Sequence, residues 1–214
     1  MGDHHKLNIV GVVLAGGLSS RMGQDKALLE LNNRTLLARS IALLESVGLT
    51  ACYVSGDYPG FNCILDQQPT IGPIGGLSAC VNTLHNEFDA MLVIPVDMPL
   101  LSVDDCAQLL ERYTKQAEDQ QGLYYQDVMF PMLLALNNNL VDYLAEFVLS
   151  QQKKHRSLYR LLNALDAQVI KPTEQQFTRF KNTNTPEQWQ HLLSRYQVLR
   201  SNNVSRSPDL TKQK

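Results

Sequence analysis

The segment Leu14-Ala15-Gly16-Gly17-Leu18-Ser19-Ser20-Arg21-Met22-Gly23-Gln24-Asp25-Lys26 joins side-chain-free backbone to two cations. Gly16 and Gly17 let backbone N–H groups approach an anion closely. Arg21 can grip phosphate oxygens with its planar fork, and Lys26 can neutralise them as a point charge. The combination suits a polyphosphate. Its spacing is neither G-x-G-x-x-G nor G-x-x-x-x-G-K-[ST], which disfavours dinucleotide binding and P-loop hydrolysis. The non-functional alternative is a surface turn carrying two solvated bases.

A second constellation is Pro95-Val96-Asp97-Met98-Pro99. Flanking prolines restrict the backbone that presents Asp97. A lone carboxylate beside a polyphosphate most naturally holds Mg²⁺, which keeps several waters and takes few protein ligands. The non-functional alternative, were the motif to stand alone, is a turn or cap residue. Asp66 follows the short apolar run Cys63–Leu65 and leads toward a second glycine loop, Gly72-Pro73-Ile74-Gly75-Gly76. It can accept hydrogen bonds from a base or ribose, or only from its own loop. Asn182-Thr183-Asn184-Thr185-Pro186, read without context, makes turns and caps. The four cysteines, Cys52, Cys63, Cys80 and Cys106, show no metal spacing and read as small buried thiols. His4 and His5 receive no metal role.

These residues need elements to position them. Leu7–Leu14 is a continuous apolar run rich in β-branched residues, the pattern of a strand buried on both faces. It delivers the first glycine loop from its carboxyl end, where open α/β sheets bind ligands. Thr35–Val47 has apolar residues at helical spacing, with Gly48 placed to stop it. Ala51–Ser55 and Cys63–Leu65 read as strands. A helix follows the second glycine loop through Leu84. Ala90–Val96 is another buried strand ending at Asp97. Ser102 and Asp105 form a capping box for the next helix. Alternating strand and helix is the grammar of a doubly wound α/β sheet. Later, Gly122–Gln126 and Met129–Leu136 read as strands that can form a hairpin. Leu140–Leu149 and Ser157–Leu165 read as helices, and Gln168–Ile170 as a short strand. Thr185-Pro186-Glu187-Gln188 starts a helix running to about Leu199. The expected organisation is one domain over residues 1–200 and a polar, disordered tail over 201–214.

The chain has 214 residues, enough to bury a core without disulfides. With 44% hydrophobic and 19% charged residues it is an ordinary globular composition, not a disordered one. No apolar stretch reaches membrane-span length, and the N-terminus lacks a signal-peptide pattern, so the expected location is the cytoplasm. Charge is uneven. Residues 1–150 hold 7 Lys/Arg against 17 Asp/Glu, a balance of −10, whereas residues 151–214 hold 12 against 4, a balance of +8. A basic C-terminal third suits an anionic partner or, equally, a solvated surface. No aromatic–basic pattern accompanies it, which disfavours nucleic acid.

Taken in order, the four constellations resemble the nucleotidyltransferase family with a Rossmann-like sheet, and within it the molybdenum cofactor guanylyltransferases. The opening matches Leu-Ala-Gly-Gly-x-x-x-Arg-Met-Gly-x-Asp-Lys as Leu14 through Lys26. The Gly-Pro loop falls at Gly72–Gly76, the Asp-x-Pro element at Asp97-Met98-Pro99, and the Asn-x-Asn-Thr-Pro-Glu element at Asn182–Glu187. The likeness spans residues 9 to 195. It implies a single three-layer α/β/α domain with a mostly parallel sheet. It implies catalytic roles for Arg21, Lys26 and Asp97, with Mg²⁺ on Asp97. It implies nucleotide contacts from Leu14, Ala15, Gly16, Gly17, Lys26, Ser55, Asp66, Gly75 and Asp97. Arg156, Asn182 and Asn184 would face the pterin. Where the family often carries His-Pro, this chain has Phe130-Pro131, which offers no polar side chain there.

The implied reaction is attack by a terminal phosphate oxygen of molybdopterin on the α-phosphorus of Mg-GTP, with pyrophosphate leaving. The substrates would be GTP and molybdopterin. A molybdenum-insertion protein and molybdoenzyme chaperones are the implied protein partners, with neither nucleic acid nor membrane involved. The neighbouring alternative is the same transfer from CTP, as in the molybdopterin cytidylyltransferases, or to a sugar phosphate. A non-catalytic molybdenum cofactor carrier is the alternative of a different class, against which the pairing of Lys26 with Asp97 speaks.

Overall fold

In the computed structural model the described residues are 6–16, 25–66, 71–115, 120–150 and 157–204, the last with backbone alone at 195 and 197–204. Seven strands form one sheet: β1 (Ile9–Leu14), β2 (Cys52–Ser55), β3 (Cys63–Ile64), β4 (Ala90–Pro95), β5 (Gly122–Tyr125), β6 (Met132–Ala135) and β7 (Gln168–Ile170). Their order is β3-β2-β1-β4-β6-β5-β7. All neighbours are parallel except at β6, which runs against both β4 and β5. The expected α/β/α architecture and the β5–β6 hairpin are therefore both present. The connection order reverses between β1 and β4, so a topological switch point opens beyond their carboxyl ends.

β1 and β4 are buried almost throughout because helices cover both faces. Side-chain alternation sorts the core into two layers. Met91 and Val93 of β4 join Leu77 of α2 (Pro73–Leu84), Leu144 of α4 (Asn138–Leu149) and Leu161 of α5 (Leu158–Ala164). Leu92 and Ile94 join Leu37 of α1 (Leu36–Ser46), Leu109 of α3 (Val103–Lys115) and Leu192 of α7 (Pro186–Val204). A 3₁₀ turn, Lys26–Leu28, precedes α1 and was not legible in the sequence. Between them Asn32 and Asn33 both adopt φ of 59°, the two left-handed positions of a tight hairpin turn closed by the Leu31 N–H on the Arg34 carbonyl at 2.9 Å.

Three boundaries differ from expectation. Pro73–Gly76 is the first turn of α2 and not a loop. Proline favours that position, since its missing N–H is one a helix start leaves unpaired. The helix α6 (Glu174–Arg179) was not anticipated; Thr173 and Gln176 cap it reciprocally. The final helix continues to Val204, past the expected end near Leu199. Its start is as expected, with Gln188 Oε1 accepting from the Thr185 N–H at 3.2 Å and Thr185 Oγ1 accepting from the Gln188 N–H at 3.3 Å.

The Asp105 side chain does more than cap α3. It accepts from the Ser102 N–H at 3.0 Å and also receives the Arg179 fork, Nε at 2.9 Å and Nη2 at 2.5 Å. Tyr125 donates to the Asp105 carbonyl or to Gln108, and Gln176 Nε2 reaches both Gln108 and Tyr125. This polar knot ties α3, β5 and α6 together, with the Phe180 ring 4.7 Å from that of Tyr125. Burial alone would raise the Asp105 carboxyl, but the Arg179 fork and the Ser102 donors outweigh it and hold the carboxyl below its usual range. A depressed carboxyl stabilises the fold above its unfolded-state pKa and loses that contribution as pH falls through the folded value. Arg179→Ala should cost roughly 2–3 kcal/mol at pH 7, below the full range for a broken buried pair because the guanidinium is partly solvated. Urea denaturation at pH 7 and pH 3 checks this: the gap between parent and variant should narrow at the lower pH.

Candidate active site

The carboxyl end of β1 turns sharply around β2. The Ala15 and Gly16 N–H groups both donate to the Ser55 carbonyl, at 3.2 and 2.8 Å. The backbone of Leu14–Gly16 thereby forms one wall of a cavity of about 220 Å³. The opposite wall comes from the start of α2. Gly72 takes φ of 74° and ψ of −152°, a conformation open to glycine, and among the described residues no side chain caps the helix. An uncapped helix start against a cleft favours an anion there. The floor is Pro95, Val96 and Asp97 at the end of β4, and Phe130 from the β5–β6 turn closes one side.

Leu14, Ala15, Gly16, Lys26, Ser55, Asp66, Asp97 and Asn182, all expected at the site, line this one cavity. Gly75 does not. It lies on the wall of a neighbouring cavity of about 590 Å³, which Asp66 also borders. Helical rotation places Gly76 in the cleft instead, where a Cβ would collide with Ser55 Oγ. Asn184 is not on the cavity wall, but its side-chain oxygen accepts from Lys26 Nζ. Gly17, Arg21 and Arg156 lie outside the described residues. Phe130, Gly72, Pro73 and Gly76 were missed as site residues. For Phe130 the available signal was its place at the family's His-Pro position; the aromatic ring makes an apolar wall there.

Lys26 is the central cation. It bonds Asn184 and lies 3.5 Å from Asp97 Oδ2, with both side chains less than one-fifth exposed. Asp97 is also held through its carbonyl, which accepts the Thr183 N–H at 2.8 Å. The Asn182–Asn184 segment is thus strapped across the ends of both motifs. Burial pushes the Asp97 carboxyl above its ordinary range, and Lys26 offsets only part of that. The described basic residues of the C-terminal third do not line the cleft, and Arg179 is committed to Asp105. The buried-thiol expectation holds for Cys80 and Cys106, while Cys52 and Cys63 are half-buried; all four are free. Burial pushes the Cys80 thiol up to about 12, so it stays protonated.

Gly76→Ala should destabilise the protein by about 1–3 kcal/mol, since the new methyl meets a fully packed Ser55. Gly76→Ala/Ser55→Ala should recover part of that loss. Thermal melts of both variants test it, and recovery in the double variant is the decisive reading.

Residues 11–169 match the MobA-like NTP transferase domain. The chain is 40% identical to the molybdenum cofactor guanylyltransferase of Xanthomonas euvesicatoria pv. vesicatoria over 185 residues, covering 86% of this chain and 93% of that one. It is 32% identical to the molybdenum cofactor guanylyltransferase of Shewanella halifaxensis, covering 85% and 92%. In fold it is similar to the molybdopterin-guanine dinucleotide biosynthesis protein A of Archaeoglobus fulgidus, with a TM-score of 0.63 at 19% identity and coverage of 90% and 99%. It is likewise similar to a nucleotidyl transferase from Methanothermobacter thermautotroptrophicus, with a TM-score of 0.67 at 16% identity and coverage of 90% and 98%. A family match over residues 11–169, together with relatives of this identity over most of their length, leads to one conclusion: the chain belongs to the MobA-like NTP transferase family and is a nucleotidyltransferase.

Proposed function

We propose that the chain transfers GMP from a divalent-metal complex of GTP to the molybdopterin form of the molybdenum cofactor, releasing pyrophosphate. The observation that carries this reading is the meeting of Lys26 and Asp97, 3.5 Å apart, at the switch point of the sheet. The relatives' names supply the base and the acceptor.

The residues present fit Mg²⁺. Asp97 is an oxygen donor, largely buried and only partly compensated, so it favours a further cation. Among the described residues no cluster of three or more acidic, His or Cys side chains could enclose an ion. One carboxylate, with waters and phosphate oxygens completing the shell, is the way Mg²⁺ binds beside a nucleotide. Asp97 would hold the ion, which when bound would neutralise charge on the phosphate oxygens.

The chain's own residues position and neutralise. Leu14–Gly16 approach the nucleotide through backbone, and the start of α2 faces the same space; Gly17 would take part in the same contact. Ser55 and Asp66 hold the nucleoside. Lys26 and Arg21 offset charge on the departing pyrophosphate. Asn182 lines the cleft and would meet the acceptor, together with Asn184 and Arg156. A phosphate monoester, with a second pKa near about 6, is largely ionised at neutral pH, so no general base is needed. Positioning is then the main catalytic contribution.

Pyrophosphate release with Mg²⁺ and molybdopterin, comparing GTP with CTP, tests the reading. Release with GTP is expected. Release with CTP alone would keep the family and overturn the base, and release with neither would favour a carrier. Asp97→Asn should lower turnover by about 10²–10³-fold, the usual cost of removing one preorganised electrostatic group. Its melting temperature at pH 7 should not fall, because a carboxyl with a raised folded-state pKa opposes folding once ionised. A variant with near-normal turnover would refute the metal role.

A further inference from the structure

Tyr58 stands on the β2–β3 connection, outside every motif described above. Its hydroxyl lies 2.9 Å from Asp25 Oδ2 and 3.2 Å from the Ala15 carbonyl oxygen. The single phenolic proton goes to the carboxylate, the nearer and charged acceptor, with the carbonyl as its alternative. Asp25 uses its other oxygen, Oδ1, to accept the Ala27 N–H at 2.9 Å, which caps the 3₁₀ turn that Lys26 begins. Both carboxylate oxygens are therefore engaged, one by Tyr58 and one by the turn that presents the catalytic lysine.

The connection around Tyr58 is itself braced. The Tyr58 N–H lies 3.2 Å from Cys63 Sγ, and the Phe61 N–H donates to the Tyr58 carbonyl at 3.2 Å. Gly56 has φ of 145°, and a Cβ there would come within 2.6 Å of the Tyr58 ring. The missing side chain makes room for the aromatic ring beside Ala15 and Gly16. Burial first, then Asp25, pushes the phenol far above its ordinary range, so Tyr58 remains a donor at any working pH.

We propose that Tyr58 is a positioning residue for nucleotidyl transfer: through its hydrogen bond to Asp25 it sets the placement of Lys26. It does not line the cavity itself; it meets the Ala15 backbone from behind the wall. Its effect passes through Asp25 to Lys26, and so reaches the nucleotide's phosphates directly and the acceptor side only at one remove, through the Lys26–Asn184 hydrogen bond. This inference rests on the proposed function for the role of Lys26, but not on which base or acceptor is used.

Tyr58→Phe keeps the ring and removes the donor, and Asp25→Asn keeps the cap acceptor and removes the charge. Calorimetric binding of Mg-GTP and of Mg-CTP, without turnover, is the first readout. Each variant should weaken the nucleotide that the parent binds by about three- to tenfold, as expected for a partly solvated charge-assisted hydrogen bond. The double variant should be no weaker than the weaker single variant, because both act through one path. Where the parent turns over, KM for the nucleotide should rise more than KM for the acceptor. The melting temperature of Tyr58→Phe should stay close to the parent's. Unchanged nucleotide binding, or fully additive losses, would overturn the assignment. Equal losses toward both substrates together with a lowered melt would show a merely structural tyrosine. A parent that binds nucleotide but releases no pyrophosphate would count against the proposed reaction and leave the Tyr58 test readable by binding.

Discussion

β1 and β4 lie side by side and in parallel, with Leu14 opposite Pro95. Everything at the site follows from that register. One strand continues into Ala15 and Gly16, whose backbone can meet an anion. The other continues into Val96 and Asp97, whose carboxylate can meet a cation. The helices after β1 and β4 pack on the same face of the sheet, but their strands leave in opposite spatial directions from the switch point, toward β2 and toward β6. The gap this opens is where the cleft sits. A shift of this pairing by one residue would turn every buried side chain of the strand to the other face, so the two core layers guard the register.

Within the cleft, the electrostatics are arranged for a ligand more than for the fold. Asp97 is kept from water and only partly compensated. Lys26 divides its attention between Asp97 and Asn184. A buried carboxylate that its protein partner compensates only in part retains capacity for a further positive charge. The stability withheld here is supplied by the two apolar layers and by the fully bonded Asp105 knot.

That knot also has a place in the site's construction. α6 is short and ends at Phe180, just before the Asn182–Asn184 segment. The Arg179–Asp105 pair anchors it on α3, and Gln176 anchors it to Tyr125 of β5. The strap therefore leaves a fixed point on one side and enters α7 through the Thr185 cap on the other. Between these anchors the Thr183 N–H docks on the Asp97 carbonyl. Elements remote in sequence converge because each end of the strap is tied down separately.

The architecture was legible because buried parallel strands and amphipathic helices have local periodic signatures: Ile9–Leu14, Ala90–Pro95 and Leu36–Ser46 all stand where their apolar patterns place them. Motif chemistry was equally local, since Gly16, Lys26 and Asp97 announce themselves by residue type and by position after a strand. What was not legible depends on partners far along the chain. Asp105 has the appearance of a simple cap until Arg179, 74 positions on, folds against it. Gly75 and Gly76 are interchangeable as letters, and only the helical rotation of α2 against Ser55 sends Gly76 to the cleft and Gly75 to the cavity behind it. Tyr58 carries no motif at all. Sequence by itself determined the sheet, the glycine-bearing end of the first strand and the acidic end of the fourth, because these arise from near-neighbour patterns; tertiary structure decided which side chains meet, because hydrogen bonds and close packing act through space between residues whose separation along the chain is arbitrary.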